Sequence, residues 1–594
     1  MPNADLTLTN TKTAVKQTAK TNGTGSYSFP NLTPGTYRLA GAAPGFQNFE
    51  TVEFPVDAYR TVRQDIKLQV GASTTEVTVN EATSTVIQVD NPSITEGLTT
   101  KQILDLPTTL RTIYSNAGDS GLIFIMLPEE IPGVVQVSNG AKWLTPGGVA
   151  AGTKAYVDGV ETDFGNFGAP DSVSQPSFES IQEFSANLMT NRAEFGGIGQ
   201  VNSTTKSGAN DYHGTIFEYA RNSAFDARNA FLTSKPYQNL HNYGAAGGGR
   251  IIRNKTFFYF VFDGTRGVRA YGFTANVPTL AQRSGNFGST TIKNPFTGAN
   301  FPGNQIPASL ISSVTQSVQA QYFPLPNYGP ADSTSGNYRA SFNGPEVHRD
   351  YEARVDHNFS ERHSAFLRYQ EKKDDYDIPG ARSGLPPQSV GTSTNIRRVN
   401  FFTFGDVFSP AASLSNEFRA GVPILVSQSD ANLRGQSLLD QFGITGLPSR
   451  AGIKGIPNLS VTGLTTATQS LLNPVNDGHW QLGDNLSWIK GRHQLKFGAQ
   501  FVNWFVNRYL TTNAGLFGNF SFQGRFSGSP YADFLLGLPT TVVRLDPFPT
   551  QYNRWHDFAA YAQDDFKVNA RLTLSYGLRW EFNQPVHANG DNIY

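Results

Sequence analysis

The chain has 594 residues, with 12% aromatic and only 16% charged side chains. Its 47 Lys and Arg balance its 47 Asp and Glu, which argues against a nucleic-acid protein held by bulk positive charge. It has no cysteine, so disulfides and thiolate metal sites are excluded, and its longest apolar runs, 122–127 and 257–262, fall far short of the ~20 residues of a membrane-spanning helix.

Residues 1–70 are expected to form a small β-sandwich. LTLTN reads as a strand, and TNGTGSYSFPNL carries a hairpin turn at Asn22-Gly23 followed by an alternating strand. No apolar stretch of the signal-peptide kind opens the chain, so either it stays in the cytoplasm or its beginning is missing. Residues 71–210 read as a compact α+β unit. TKQILDLP is helix-like, AYVDGVETD turns at a glycine, and SFESIQEFSANLM opens on a helix cap at Ser177 to Glu179.

From residue 211 the pattern becomes strands separated by long polar loops, in roughly ten or eleven segments. Thr215, Phe217 and Tyr219 share one face, as do Phe258, Phe260 and Phe262. Tyr351, Ala353 and Val355 alternate with Glu352, Arg354 and Asp356, and Leu495, Phe497, Ala499 and Phe501 with Gln494, Lys496, Gly498 and Gln500. In RLTLSYGLRWEF the even-numbered side chains Leu572 to Phe582 are all apolar and the odd-numbered ones polar or small. A soluble sandwich also alternates. Aromatics toward strand ends and very long loops favour a transmembrane barrel.

No nucleophile elbow, zinc-protease motif or P-loop is present. His357 and His363 lie six apart without a third ligand, and read as surface or girdle histidines. Neighbours on a strand point to opposite faces, so Asp374-Asp375 and Asp564-Asp565 cannot act as acid/base pairs. No cofactor or metal is expected.

The segment IQEFSANLMTNRAEFGGIGQVNSTTKSGANDYHGTIFEYARNSAFDARNAF, with RNKTFFYFVFDGTR, DHNFSERHSAFLRYQ, HQLKFGAQF and YAQDDFKVNARLTLSYGLRWE, resembles Oar-like TonB-dependent outer-membrane receptors. Residues 21–46 resemble the carboxypeptidase-regulatory-like domain of those receptors, a non-catalytic fold, and AYVDGVETD resembles their plug motif. The resemblance implies a mainly β chain: a β-sandwich with its first strand missing (1–70), a plug (71–210) and part of a 22-stranded antiparallel barrel (211–594). It implies an outer-membrane location and energised movement of a large or scarce solute. The implied partners are a TonB-type periplasmic protein, outer-membrane lipid and an unknown solute, with no nucleic acid. The chain departs from the family at LPTTLRTIY and lacks a TonB-contact box. Incompleteness at both ends is expected, and a half barrel with two open edges is expected not to form a stable pore alone. A surface-exposed adhesive or structural β-protein binding through long loops is the alternative, and a secreted enzyme on a β-scaffold the least supported.

The expected plug–barrel contacts are Asp158, Glu161, Asp163, Arg192 and Glu194. The expected lumen-facing partners are Arg354, Lys496 and Arg579. Hydrated, breakable ion pairs suit a part that must move.

Overall fold

The computed structural model describes residues 1–29, 32–56, 62–68, 70, 76–78, 94–99, 102–103, 134–137, 143–146, 153–164, 169–170, 174–189, 192–197, 199–228, 235–380, 385–431, 442–444, 457–468, 474–509, 518–543, 550–569 and 572–588. Most of TKQILDLP lies outside them. Among the described residues no helix is long and apolar enough to cross a membrane.

The first sheet contains β1 (Asp5–Asn10), β2 (Lys16–Lys20), β3 (Gly35–Ala42), β4 (Asn48–Glu50), β5 (Phe54–Val56) and β6 (Glu76–Thr78). Alternation puts Leu6, Leu8, Tyr37 and Leu39 into one core with Phe54 and Val56. Asn22 Oδ1 accepts the N–H groups of Thr24 and Ser26, closing the expected turn. Among the described residues that follow, 26–29, no strand forms. Tyr27 and Phe29 instead pack their rings on the core, and the Tyr27 hydroxyl donates to the Gln64 carbonyl.

The next strands are β7 (Ile94–Thr99), β8 (Val134–Val137), β9 (Trp143–Pro146), β10 (Thr153–Val157), β11 (Val160–Glu161), β12 (Asp163–Phe164), β13 (Ala169–Pro170), β14 (Ile181–Met189) and β15 (Gly199–Thr205). Five of them form the plug sheet, in the order β11-β10-β15-β14-β7. Asp158 and Gly159, at φ 50° and 83°, make the two-residue turn between β10 and β11. Two positive φ values in succession fit a type I′ hairpin, for which Asp-Gly is favoured. Ser177 does cap a helical turn, its Oγ accepting the Glu179 N–H, but the turn lasts only Phe178–Ser180. The expected helix is replaced by β14, which pairs on both sides and buries Ile181, Phe184 and Ala186 together with Ser185 and Asn187.

The third part is one antiparallel sheet. Its strands are β16 (His213–Asn222), β17 (Gln238–Ile252), β18 (Thr256–Ala275), β19 (Tyr338–Ser360), β20 (His363–Pro379), β21 (Thr392–Ala411) and β22 (Leu414–Ala431). After β23 (Asn458–Val461) come β24 (Val475–Lys490) and β25 (His493–Tyr509). After β26 (Asn519–Phe522) and β27 (Thr541–Val543) come β28 (Thr550–Asn569), β29 (Leu572–Asn583) and β30 (His587–Ala588). The ladder runs β16-β17-β18-β19-β20-β21-β22-β24-β25-β28-β29, with β30 on β28. Among the described residues β16 and β29 are its open edges. The turns at 253–255, 361–362, 412–413 and 491–492 are short and lie at one end. The longer connections leave β18, β22 and β25 at the other. Short periplasmic turns and long outer loops are the pattern of outer-membrane barrels.

The long connections share one hydrophobic core. Phe287, Val318, Tyr322, Leu385, Val461 and Phe534 are among its buried residues. Helix α1 (Ser313–Tyr322) meets helix α2 (Pro530–Leu535), where the Ser312 N–H and Thr315 hydroxyl both donate to the Leu535 carbonyl. β23, β26 and β27 form a three-stranded sheet beneath them. The loops thus build a folded cap instead of separate excursions. At the opposite end the sandwich touches the barrel: the Asn210 side chain donates to the Thr13 carbonyl and to Asn254 Oδ1.

Candidate functional site: the plug–barrel interface

The two parities of the barrel strands meet different surroundings. Asp263, His348, Asp350, Glu352, Arg354, Arg368, Gln370, Thr403, Gln481 and Gln563 are polar and buried. On the other parity Phe260, Tyr351, Val355, Leu367, Phe402, Phe404, Leu482, Phe497 and Phe558 are apolar and exposed. All six even-numbered groups from Leu572 to Phe582 are exposed, Leu578 at 76%. Among the described residues no second sheet covers them. A water-soluble protein would reverse this distribution. Phe217 and Tyr219 go against the simple reading. Cross-strand register aligns Phe217 with Gly244 and Asp263, so their face looks inward, where the missing side chain of Gly244 leaves room for the Phe217 ring.

The polar face surrounds the plug. Arg354 Nη1 lies 3.2 Å from Asp158 Oδ1, and Asp158 also accepts the Thr205 N–H and hydroxyl. Asp356 holds the other side of the same guanidinium at 2.8 Å. Lys496 Nζ sits 2.7 Å from Glu194 Oε2. Among the described residues Arg579 meets no plug carboxylate. It donates to the Ala193 and Glu194 carbonyls and pairs with Glu581 on its own strand. Arg192 bridges Asp565 on β28 and Glu194 beside it.

Glu161 and Asp163 do not reach a barrel cation. Glu161 pairs with Lys154 inside the plug, while its N–H donates to Gln481 Oε1 on the wall. Asp163 lies next to that pair, and its Oδ1 has no hydrogen-bond partner among the described residues. Burial, then the Glu161 charge beside it, holds the Asp163 carboxyl well above the usual range, against the pull of Lys154. Burial also works against ionised Glu194, but Lys496 and Arg192 outweigh it and hold that carboxyl below its usual value.

Several contacts were not visible as motifs. Barrel carboxylates grip plug hydroxyls and amides: Glu352 accepts the Ser177 N–H and Ser180 hydroxyl, and Asp263 the Ser177 hydroxyl. Arg368 steadies Glu352 at 2.7 Å. An apolar patch joins Val157, Val160 and Phe164 to Val399, Phe401 and Leu425. There Gly421 lets the hairpin close in, since a Cβ would fall 2.3 Å from a Val160 methyl. The inward parity of each strand was the available signal for these groups. Between plug, wall and sandwich lies a cavity of about 1630 Å³, lined on the barrel side by Arg419, Gln481, Gln500 and Arg579. Among the described residues no cluster of metal-ligating side chains occurs.

The family model described as outer membrane beta barrel domain matches residues 204–594. The chain belongs to this outer-membrane β-barrel family. Its exposed apolar parity is therefore the face that meets the lipid of the outer membrane. The carboxypeptidase regulatory-like domain model matches residues 1–69 of the barrel protein. A curated relative, the TonB-dependent transporter Oar of Myxococcus xanthus, is 27% identical over 281 residues. That match covers 44% of this chain and 25% of the relative, so the barrel protein spans a quarter of that relative's length. Among solved structures, the siderophore receptor PirA from Acinetobacter baumannii is 12% identical at TM-score 0.44, covering 82% of this chain and 56% of that one. The ferric citrate transporter FecA is 12% identical at TM-score 0.45, covering 84% and 59%.

Proposed function

We propose that this barrel protein is a TonB-dependent outer-membrane transporter that moves a large or scarce solute past a displaceable plug. The observation that carries the reading is the seating of the plug on ion pairs and hydrogen bonds along a polar wall, above all Glu194–Lys496 and Arg192–Asp565. Such contacts are partly exposed and exchangeable, so moving the plug costs less than parting a wholly apolar interface would. The kinship with Oar supports a TonB-type energiser as partner. Solute recognition belongs to the cap and the plug surface beneath it.

The test uses the cysteine-free background. Gln500→Cys places a single thiol on the lumen wall of the protein in cells. Its labelling by a membrane-impermeant maleimide is expected to rise when the proton-motive force and TonB are present. It should fall to the de-energised level when E194C and K496C are added and oxidised to a disulfide, which leaves the thiol at position 500 the one free to react. Labelling indifferent to TonB would remove the transport reading.

A further inference from the structure

The short-turn rim carries one arrangement twice. Arg362-His363 follows the β19–β20 turn, and Arg492-His493 follows the β24–β25 turn. Each histidine stands opposite a phenylalanine of the next hairpin, His363 opposite Phe408 and His493 opposite Phe566. The ring centroids are 5.5 Å and 4.4 Å apart. Each histidine also bonds the aspartate two residues before that phenylalanine: His363 Nε2 to Asp406 at 2.7 Å, His493 Nδ1 to Asp564 at 2.6 Å. Each arginine carbonyl accepts the N–H one residue after the phenylalanine, from Ser409 and from Lys567. Each arginine Nη1 donates to the carbonyl one residue further on, Pro410 at 3.2 Å and Val568 at 3.0 Å.

Register puts these groups on the outward parity. Asp406 stands opposite Ala365, next to Leu367 and Phe404; Asp564 stands opposite Leu495 and Tyr576. A carboxylate facing lipid is expensive unless paired. Here an imidazole covers each one, and the Tyr576 hydroxyl also donates to Asp564. Exposed rings flank the first unit: Phe359 stacks on His363 at 4.6 Å. Aromatics of this kind mark the level where headgroups meet acyl chains. Both arginines are exposed on the rim and commit only Nη1 among the described residues. The rest of each planar guanidinium is free to fork onto a tetrahedral anion.

We propose that each Arg-His unit binds the phosphate of a membrane phospholipid headgroup, one molecule at each seam between hairpins. The arginine takes the phosphate and the histidine–aspartate pair forms the floor. The phenylalanines lie against the first acyl carbons. Two seams then hold two ordered lipids, which bridge neighbouring hairpins where the backbone ladder ends. The proposal needs the barrel in a bilayer and is independent of what the barrel transports.

The test is native mass spectrometry of the full chain released from vesicles of phosphatidylethanolamine and phosphatidylglycerol. Two retained phospholipids are expected for the parent chain, one for R362Q or R492Q, and none for R362Q/R492Q. Each substitution should weaken retention about fivefold, the effect of one interfacial cation. A doubly substituted chain that keeps both lipids overturns the proposal. Inorganic phosphate in excess separates the sources: displacement of both lipids by it means a site for free phosphate only, and also overturns the proposal. A measurement without variants guards against misfolding. The parent chain in vesicles of monogalactosyl diacylglycerol, doped with phosphatidylglycerol, should retain the phospholipid selectively. Equal retention of the two lipids sinks the idea.

Discussion

Lys496 on the barrel and Glu194 on the plug meet at 2.7 Å, joining segments 302 residues apart in the chain. Their side chains are 28% and 17% exposed, so water screens the pair and its contribution is about 1 kcal/mol. Glu194→Gln should therefore leave the barrel folded and loosen the plug. The check is maleimide labelling of a Gln500→Cys thiol in vesicles, which should rise about fivefold, with molar salt producing a similar rise in the parent.

The Asp158–Arg354 contact should behave differently. Both side chains are nearly enclosed, at 2% and 7% exposure. Asp158→Asn leaves Asp356 as the one carboxylate bonded to the guanidinium and unsettles the Thr205 end of β15. A loss of about 3 kcal/mol is expected, with little salt dependence. Urea titration of the lipid-inserted chain, at low and at molar salt, measures both features.

Acid should act on the plug through two carboxyls with opposite signs. Glu194 titrates below its ordinary value in the folded chain, so its contribution is full above that value and disappears as pH falls through the lowered one. Asp163 titrates above its ordinary value, so it favours the folded chain at low pH and costs stability as pH rises through the raised value. E194Q should abolish the acid-side loosening, and Asp163→Asn should flatten the decline toward neutral pH. Thiol labelling across a pH series in each variant separates the two.

Leu578 tests which solvent the outer parity sees. It is 76% exposed and stands opposite Ala562 on the outward face of β28. Arginine in its place should cost about 2–4 kcal/mol near the bilayer midplane. Gln494→Arg, on the inward parity beside the cavity, should be close to neutral. Insertion yield into vesicles, read from protection of the strands against added protease, distinguishes the outcomes. Equal yields would place both faces in water.

The cap should melt as a unit. Phe534 is 1% exposed and meets Phe323 and Phe522 edge-on at 6.1 and 5.2 Å. Phe534→Ala should cost about 3–5 kcal/mol within the cap. Proteolysis is then expected in several long connections at once, with the protease protection of the barrel strands unchanged. Cleavage confined to the 518–543 stretch would show that the loops fold separately.

Alternation made the barrel legible, because one side chain in two meets lipid and the other meets water or plug. It identified the outward faces of RLTLSYGLRWEF and DYEARVDHNF, and it put Arg354, Lys496 and Arg579 on the inward parity. It misled where a face was mixed. Phe217 shared its face with polar partners, and Gly244 on β17 gives its ring room inside. In the plug, the cap at Ser177 was local and real, but pairing on both sides of β14 outweighed helix propensity beyond one turn. The partners of Asp158 and Glu194 were anticipated by sign of charge alone. The anchoring of Ser177 by Glu352 and Asp263 was not, since a serine hydroxyl advertises no partner. Nor was the folded cap, whose core comes from stretches that each look like ordinary polar loops.

The cap also imposes a schedule on biogenesis. Its centre requires the Thr315 hydroxyl to find the Leu535 carbonyl, 220 residues later in the chain. The outer mouth therefore stays unsealed until the staves from β16 to β25 have been delivered and set in order. A correctly formed dome is then a certificate that the wall below it was laid in the right sequence.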